Sequence, residues 1–149
     1  SGQSLPAKSM IPGDYPVYGG NGISGYHNEY LFDEPKIVIG RVGVYCGVVH
    51  LTSRHSWITD NALFVEKQHI PMAQKYLEWA LRLSNLNQYA STSSQPLISG
   101  GRIYRISIPV PPLDLQLQFE KICERFDTGS THNGEINELI YSITQEMLT

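Results

Sequence analysis

The chain is poor in the residues that would tie it to a metal, a membrane or a bare phosphate backbone. Two cysteines, Cys46 and Cys123, stand far apart in 149 residues, and no Cys-x-x-Cys spacing exists. The expectation is two reduced thiols, no disulfide and no metal site. No apolar run approaches the ~20 residues of a membrane helix. The start, Ser1-Gly2-Gln3-Ser4, has none of the basic-then-apolar character of a signal peptide, so a cytoplasmic protein with no membrane association is expected. Cations are scarce as well: 11 Lys and Arg against 14 Asp and Glu give a net charge of −3. Sequence-independent DNA affinity rests on neutralised phosphates, so this chain should not grip DNA strongly by itself. Catalytic signatures are also missing. Five histidines lie scattered without His-Glu-x-x-His, there is no Gly-x-Ser-x-Gly elbow, and no catalytic residue is assigned.

What is present is enough for a core. Hydrophobic residues make up 41%, with nine Tyr, four Phe and two Trp. Short β-type runs at Tyr15–Tyr18, Lys36–Gly40, Val44–His50 and Ala62–Val65 are separated by Gly, Asn, Asp and Ser. From Pro71 to Leu86 the period becomes helical, with Tyr76, Trp79, Ala80 and Leu83 on one side. After the polar loop Ser91–Gln95, the β-branched content of Arg102–Ile108 favours a further strand.

Pro109-Val-Pro-Pro112 then divides the chain. Beyond it Leu115, Phe119, Ile122 and Phe126 are followed by Ile136, Ile140, Ile143 and Met147. With Gly129 and Asn133 filling the gap, the spacing alternates between four and three throughout, which is a heptad register. The glycines of the 127–134 stretch weaken that helix by ~1 kcal/mol each relative to Ala. The predicted fold is α+β: a mixed, β-rich domain over 1–112, then a long coiled-coil-type helix over 113–149. Such a seam needs a partner surface, on another chain or in a second half.

Several constellations could carry chemistry. Gly19-Gly20-Asn21-Gly22 lacks the Gly-Lys-Ser/Thr end of a P-loop and the helix and acid of a dinucleotide site. It reads as a tight turn, with Asn21, Ser24, Tyr26 and His27 as polar tips. Arg41, between Gly40 and Gly43, could read guanine O6 and N7 or form a buried ion pair with Asp60 or Glu34. Thr59-Asp60-Asn61 reads as a side-chain-capped turn. Thr52-Ser-Arg-His-Ser-Trp57 offers Arg54, His55 and Ser56, a mix suited to phosphates and base edges or to a solvated loop. Ser93 and Ser94 supply small donors, Asn85 suits an adenine edge, and Arg102 and Arg105 add charge. Cys46 with His50 could be a thiol–imidazole pair, but the apolar run around Cys46 favours a core thiol.

The ordered trio Tyr15-Pro-Val-Tyr-Gly-Gly-Asn-Gly-Ile-Ser-Gly-Tyr26, Ile39-Gly-Arg-Val-Gly43 and Thr59-Asp-Asn-Ala-Leu63, with Pro109-Val-Pro-Pro-Leu-Asp-Leu-Gln116 after it, resembles the specificity (S) subunit of type I restriction-modification systems. The resemblance runs from about Gly13 to Thr149. It departs from the family at Leu115, where an acidic residue is usual. It implies a target recognition domain and one conserved spacer helix, where a full S subunit has two of each. It further implies a non-catalytic subunit that binds double-stranded DNA at half of a bipartite site and directs methyltransferase (M) and restriction (R) subunits. S-adenosylmethionine, ATP and Mg would belong to those partners, with no cofactor in this chain. The helix would pair two copies, or this chain with a second recognition half. The resemblance also favours a framework role for Arg41, because members reading different bases share it. From outside the family, a protein-interaction adaptor without DNA binding is the competing reading, and the acidic balance suits it. A small hydrolase using Cys46 and His50 is a third.

Overall fold

The computed structural model describes residues 1–127, with side chains through Phe126. It is an α+β chain of two compact units. One comprises Ser1–Lys67 with Leu81–Ile106; the other comprises Gln68–Ala80 with the segment from Ser107 onward. The first unit holds two three-stranded sheets. In one, β1 (Tyr15–Gly19) lies between β2 (Gly22–His27), antiparallel to it, and β5 (Trp57–Ile58), parallel to it. In the other, β3 (Ile37–Gly40) lies between β4 (Val49–Leu51) and β6 (Ala62–Phe64), both antiparallel.

The apolar run Ile37-Val-Ile39 makes β3 a central strand. All four residues of β3 are buried, as a strand covered on both faces requires. Val38, Ile58 and Ala62, each fully buried, form the centre of the core, and Phe32 and Phe64 stack over it with ring centroids 5.0 Å apart. The run Val44–His50 is a strand only at its end. Gly43 (φ +67°) and Gly47 (φ +86°) impose left-handed kinks, and a 3-10 turn, Gly43–Tyr45, fills the space between them.

The strand expected over Arg102–Ile108 is not formed. α2 (Gly100–Ile103) is a single helical turn, and the chain beyond it is irregular up to the next helix. Ile103 and Ile106 sit three apart, which is helical rather than alternating spacing, and Ile106 N–H donates to the Ile103 carbonyl (3.1 Å). β-branched content alone did not supply a sheet edge to pair with.

The second unit is built on helices. α1 (Gln74–Leu83) belongs to it through Ala80, and α3 (Leu113–Asp127) provides its other wall. The start of α1 is capped by side chains of α3. Gln116 Oε1 accepts from Ala73 N–H (2.9 Å) and Glu120 Oε1 from Lys75 N–H (2.8 Å). These satisfy amides that a helix start otherwise leaves unpaired. Gln116 is 1% exposed and its Nε2 also donates to the Pro111 carbonyl (2.8 Å). The Tyr76 hydroxyl donates to the Pro109 carbonyl (3.0 Å), and its ring meets Phe119 edge-on at 5.9 Å.

On the expected seam, Leu115 is buried, Phe119 and Ile122 are half-buried and Phe126 is 43% exposed. The inward face of α3 also takes Gln116 and Cys123. Ile136, Ile140, Ile143 and Met147 lie outside the described residues.

Candidate nucleic-acid interface

Three segments of the first unit, the glycine-bearing 19–22 and 40–43 and the turn 59–61, converge on one knot. β1 and β2 form a hairpin around Gly20-Asn21, with Gly22 in the left-handed region (φ +94°). Gly20 then packs on backbone: a Cβ there would lie 3.2 Å from the Asn61 carbonyl oxygen and 3.7 Å from Gly40 Cα. A Cβ on Gly40 would collide with the carbonyl oxygens of Tyr45 and Gly20. Arg41 N–H donates to the Asn61 carbonyl (3.0 Å), and Thr59 N–H to that of Tyr18 (2.9 Å). Thr59 Oγ1 caps its own turn by accepting from Asn61 N–H (3.4 Å). Glycine is required here because main chains cross where no side chain fits. Beside the knot opens a cleft of about 570 Å³, lined among others by Leu5, Met10, Asn21, Tyr45, Asp60 and Asn61. An acid and no base lines it, so it holds no acid–base pair.

Arg41 is thereby tied into the framework through its main chain. Its carbonyl accepts from Ile98 N–H (2.8 Å) and from Cys46 Sγ (2.9 Å). No ion pair to Asp60 or Glu34 forms among the described residues; Glu34 is engaged by Arg54 instead. Two residues taken as surface readers are corrected. His27 is buried, its Nδ1 accepting from Ile11 N–H (3.0 Å) while its ring meets Trp57 edge-on. Ser56 is fully buried at the base of its loop. Neither can touch a macromolecule from there.

The other candidates are on the surface. Asn21 stands at the hairpin tip, Tyr26 is 54% exposed, and Ser24 is exposed with its hydroxyl turned to the Val17 carbonyl (3.1 Å). Asn85 is exposed in a left-handed conformation (φ 50°) at the end of α1. Ser93 and Ser94 are exposed in a loop that Ser91 and Ser93 hold together (3.0 Å between hydroxyls, and 2.7 Å from Ser93 to the Gln95 carbonyl). Arg102 is exposed and reaches the Tyr89 carbonyl at 3.4 Å. Asn85, the serine loop and Arg102 belong to one arc, Leu81–Ile106, which is anchored near the knot. Gly43 N–H donates to the Pro96 carbonyl (2.9 Å), and a Cβ on Gly47 would collide with Asn87 N.

The charge of this arc is a signal that residue-by-residue reading missed. Leu81–Ile106 contains Arg82, Arg102 and Arg105 and not one Asp or Glu, whereas 107–149 carries seven acids against two bases. Tyr104, between two of those arginines, is 85% exposed. An acid-free strip of Arg, Ser, Thr, Asn and Gln suits a polyanion despite the overall negative charge.

Arg54 and His55 occupy a second surface. The bridge Phe32↔Ser56 joins two loops into a short antiparallel ribbon, in which Ser56 N–H donates to the Phe32 carbonyl (3.0 Å) and Leu31 and Phe32 N–H donate to that of Ser56 (3.0 and 3.1 Å). Across it Arg54 meets Glu34 through both terminal nitrogens (2.9 and 2.7 Å), and His55 Nε2 lies 4.0 Å from Asp33 Oδ1. Tyr30 stacks against His55 and Tyr15, at 4.7 Å to each. The Asp33 charge beside its hydroxyl raises the Tyr30 pKa.

The thiol reading of Cys46 does not survive. Its side chain is buried, its single S–H is within reach of the Arg41 and Pro96 carbonyls (2.9 and 3.2 Å from Sγ), and burial pushes its pKa up. An activated nucleophile needs the opposite shift.

Comparison with known proteins agrees with the trio of motifs. Residues 7–141 match the family model of the type I restriction modification DNA specificity domain. The chain is 32% identical over 147 residues to the type I restriction enzyme EcoprrI specificity subunit of Escherichia coli, covering 93% of this chain and 36% of that protein. The crystal structure of a type I restriction-modification S subunit from M. genitalium superposes with a TM-score of 0.70 at 18% identity, over 85% of this chain and 35% of that one. The chain thus spans about a third of the length of these relatives.

Proposed function

The chain belongs to the family of type I restriction modification DNA specificity domains, and from that premise we propose that it reads a specific base sequence in double-stranded DNA as one half of a two-part recognition element. The acid-free arc Leu81–Ile106 carries this reading, because it gives an acidic chain a local surface for phosphates. Arg102 and Arg105 position the duplex there. Asn85 and the serine loop, together with Asn21 and Tyr26 at the hairpin, are available to base edges and sugars.

The chain acts without an active site of its own. It would bring methyltransferase and restriction subunits to half of a bipartite site, in the cytoplasm of a bacterium. S-adenosylmethionine, ATP and Mg would be held by those partners. The 113–149 segment, which opens with α3, would be the second functional part, pairing with a second copy, with a second recognition half or with the methyltransferase. The adaptor reading is not favoured, since the relative at 32% identity is a restriction enzyme specificity subunit.

The test is size-exclusion chromatography with light scattering, with and without the methyltransferase subunit, followed by selection on random-sequence duplexes. A dimer or a stable methyltransferase complex that enriches one half-site is the expected result. A monomer indifferent to the methyltransferase that enriches no sequence would overturn the proposal and return the adaptor to the front.

A further inference from the structure

We propose that Glu34 is an exchangeable stand-in for DNA, holding the Arg54 fork until a guanine edge replaces it. This rests on the DNA-reading function above. Arg54 spends both terminal nitrogens on Glu34, with Nη1 on Oε2 at 2.9 Å and Nη2 on Oε1 at 2.7 Å. Those are the donors that a bidentate contact to guanine O6 and N7 requires, so Arg54 cannot keep Glu34 and read a guanine end-on together. The pair is also easy to open. Its side chains are 60% and 63% exposed, and an ion pair so solvated biases an equilibrium by about fivefold at most. A bidentate base contact discriminates by roughly five- to a hundredfold, so a correctly placed guanine wins the exchange.

The frame beneath the pair is tied by main-chain bonds. The Phe32↔Ser56 bridge fixes the register of the two loops, and His55 N–H donates to the Asp33 carbonyl (3.3 Å). His55 sits at φ +51°, a left-handed conformation uncommon outside glycine. Tyr30 and Tyr15 pack on its imidazole (4.7 and 6.2 Å). With the backbone so tied, exchange needs only side-chain rotation.

Electrostatics set the direction of selection. Glu29, Asp33 and Glu34 fall within six residues on the segment that carries the ribbon, against Lys36, whose Nζ lies 5.8 Å from the Phe32 ring centroid, and Arg54, so the acids outnumber the bases and oppose phosphate there. A loose, phosphate-only encounter leaves the Glu34 pair closed. Only an acceptor pair presented in the groove, held there by contacts elsewhere, displaces the carboxylate. Glu34 therefore suppresses non-specific binding, while Arg54 sets one base of the recognised sequence.

The experiment uses the full 149-residue chain, with its methyltransferase subunit, and a pool of duplexes with a randomised core, read by sequencing and by titration across a salt series. In wild type, Arg54 should enforce guanine at one position. E34Q should bind the unselected pool about threefold to tenfold tighter, steepen the salt slope by about 0.9 and weaken the guanine preference. E29Q removes the same charge from an exposed residue of the same segment without freeing Arg54 and should change pool affinity by less than about twofold. R54A should erase preference at that one position and no other, and R54K should not restore it. If E34Q behaves like E29Q, or R54A leaves every preference intact, the exchange is refuted while DNA recognition stands. If wild type enriches no sequence at all, the recognition reading fails and takes this inference with it.

Discussion

In the knot around Gly20, Gly40 and Asn61, chain segments touch main chain to main chain. In the ribbon of Phe32–Glu34 and Arg54–Ser56, two segments are also joined by main-chain bonds, but charged tips project from them into solvent. The knot is specified by missing side chains and the ribbon by those it carries. A Cβ on Gly40 collides with the carbonyl oxygens of Tyr45 and Gly20, and one on Gly20 presses on that of Asn61 (3.2 Å), so geometry fixes glycine at the first and favours it at the second. At the ribbon, Arg54 or Glu34 can be exchanged for another residue with the frame intact. A domain that must keep one fold while reading different sequences needs this separation.

The sharpest way to break the comparison is to put a methyl group into each region. G40A should destabilise the first unit by about 3 kcal/mol or more, because the new Cβ collides with the carbonyl oxygens of Tyr45 and Gly20. G101A, with nothing within 4 Å of its Cβ in a helical turn, should change stability by less than about 1 kcal/mol, in the stabilising direction. Urea denaturation compares the two directly. If G40A unfolds like wild type, the main-chain crossing is not what holds the sheets together.

Gln116 tests an intermediate case, a junction made by one buried side chain. Q116A removes the acceptor of Ala73 N–H and the donor to the Pro111 carbonyl at a site 1% exposed. Each buried group left without a partner costs about 1–3 kcal/mol, so for the two a loss of about 2–6 kcal/mol is expected. It should appear as faster hydrogen exchange in the first turn of α1, while amides of β3 stay protected. Equal acceleration in both would mean that the cap supports the whole chain rather than its own unit.

The surfaces proposed to contact DNA should yield affinity without stability. Arg102 and Arg105 are exposed on the acid-free arc. The double variant R102A/R105A should lower pool affinity about tenfold and flatten the salt slope by about 1.8, with denaturation unchanged. A stability loss with no change in DNA affinity would reassign these arginines to the framework.

The parts legible in the sequence were those built by apolar runs. Ile37-Val-Ile39 announces a central strand because covered strands are continuous apolar runs, and Tyr76 with Ala80 and Leu83 announces a helix. β2 was hidden because its buried residues are Gly22 and His27, which give no hydrophobic alternation. β5 was hidden because a two-residue parallel strand leaves no period. At the site, the chemical mix of residues 52–57 marked Arg54, but the partner that engages it lies 20 positions away and no local pattern names it. The acid-free arc was legible throughout, as a run over which charge of one sign is absent. It went unread because whole-chain charge averages it against the acidic 107–149 segment.

The smallest effect expected belongs to Cys46, where the knot meets the arc. Sγ lies within reach of the Arg41 and Pro96 carbonyls, so its single S–H donates to one or is shared between them, and burial holds its pKa above the ordinary thiol value. The neutral thiol is therefore favoured in the folded chain. Its stabilising contribution is complete below the unfolded thiol pKa of about 8.5. Above that pH the unfolded chain ionises first, and the contribution drains away as pH rises toward the folded value. Tyr30 and Tyr76 are also shifted upward and would add alkaline destabilisation of their own. The informative quantity is consequently the difference between wild type and C46S, measured by denaturation at pH 7 and again above pH 9. That difference should shrink at the higher pH, and native Cys46 should resist alkylation at pH 8 while the urea-unfolded chain reacts. A difference independent of pH, with rapid native alkylation, would mean that the junction between knot and arc opens readily. The arc would then be a mobile reader, and the separation between fixed frame and exchangeable surface would begin there rather than at its side chains.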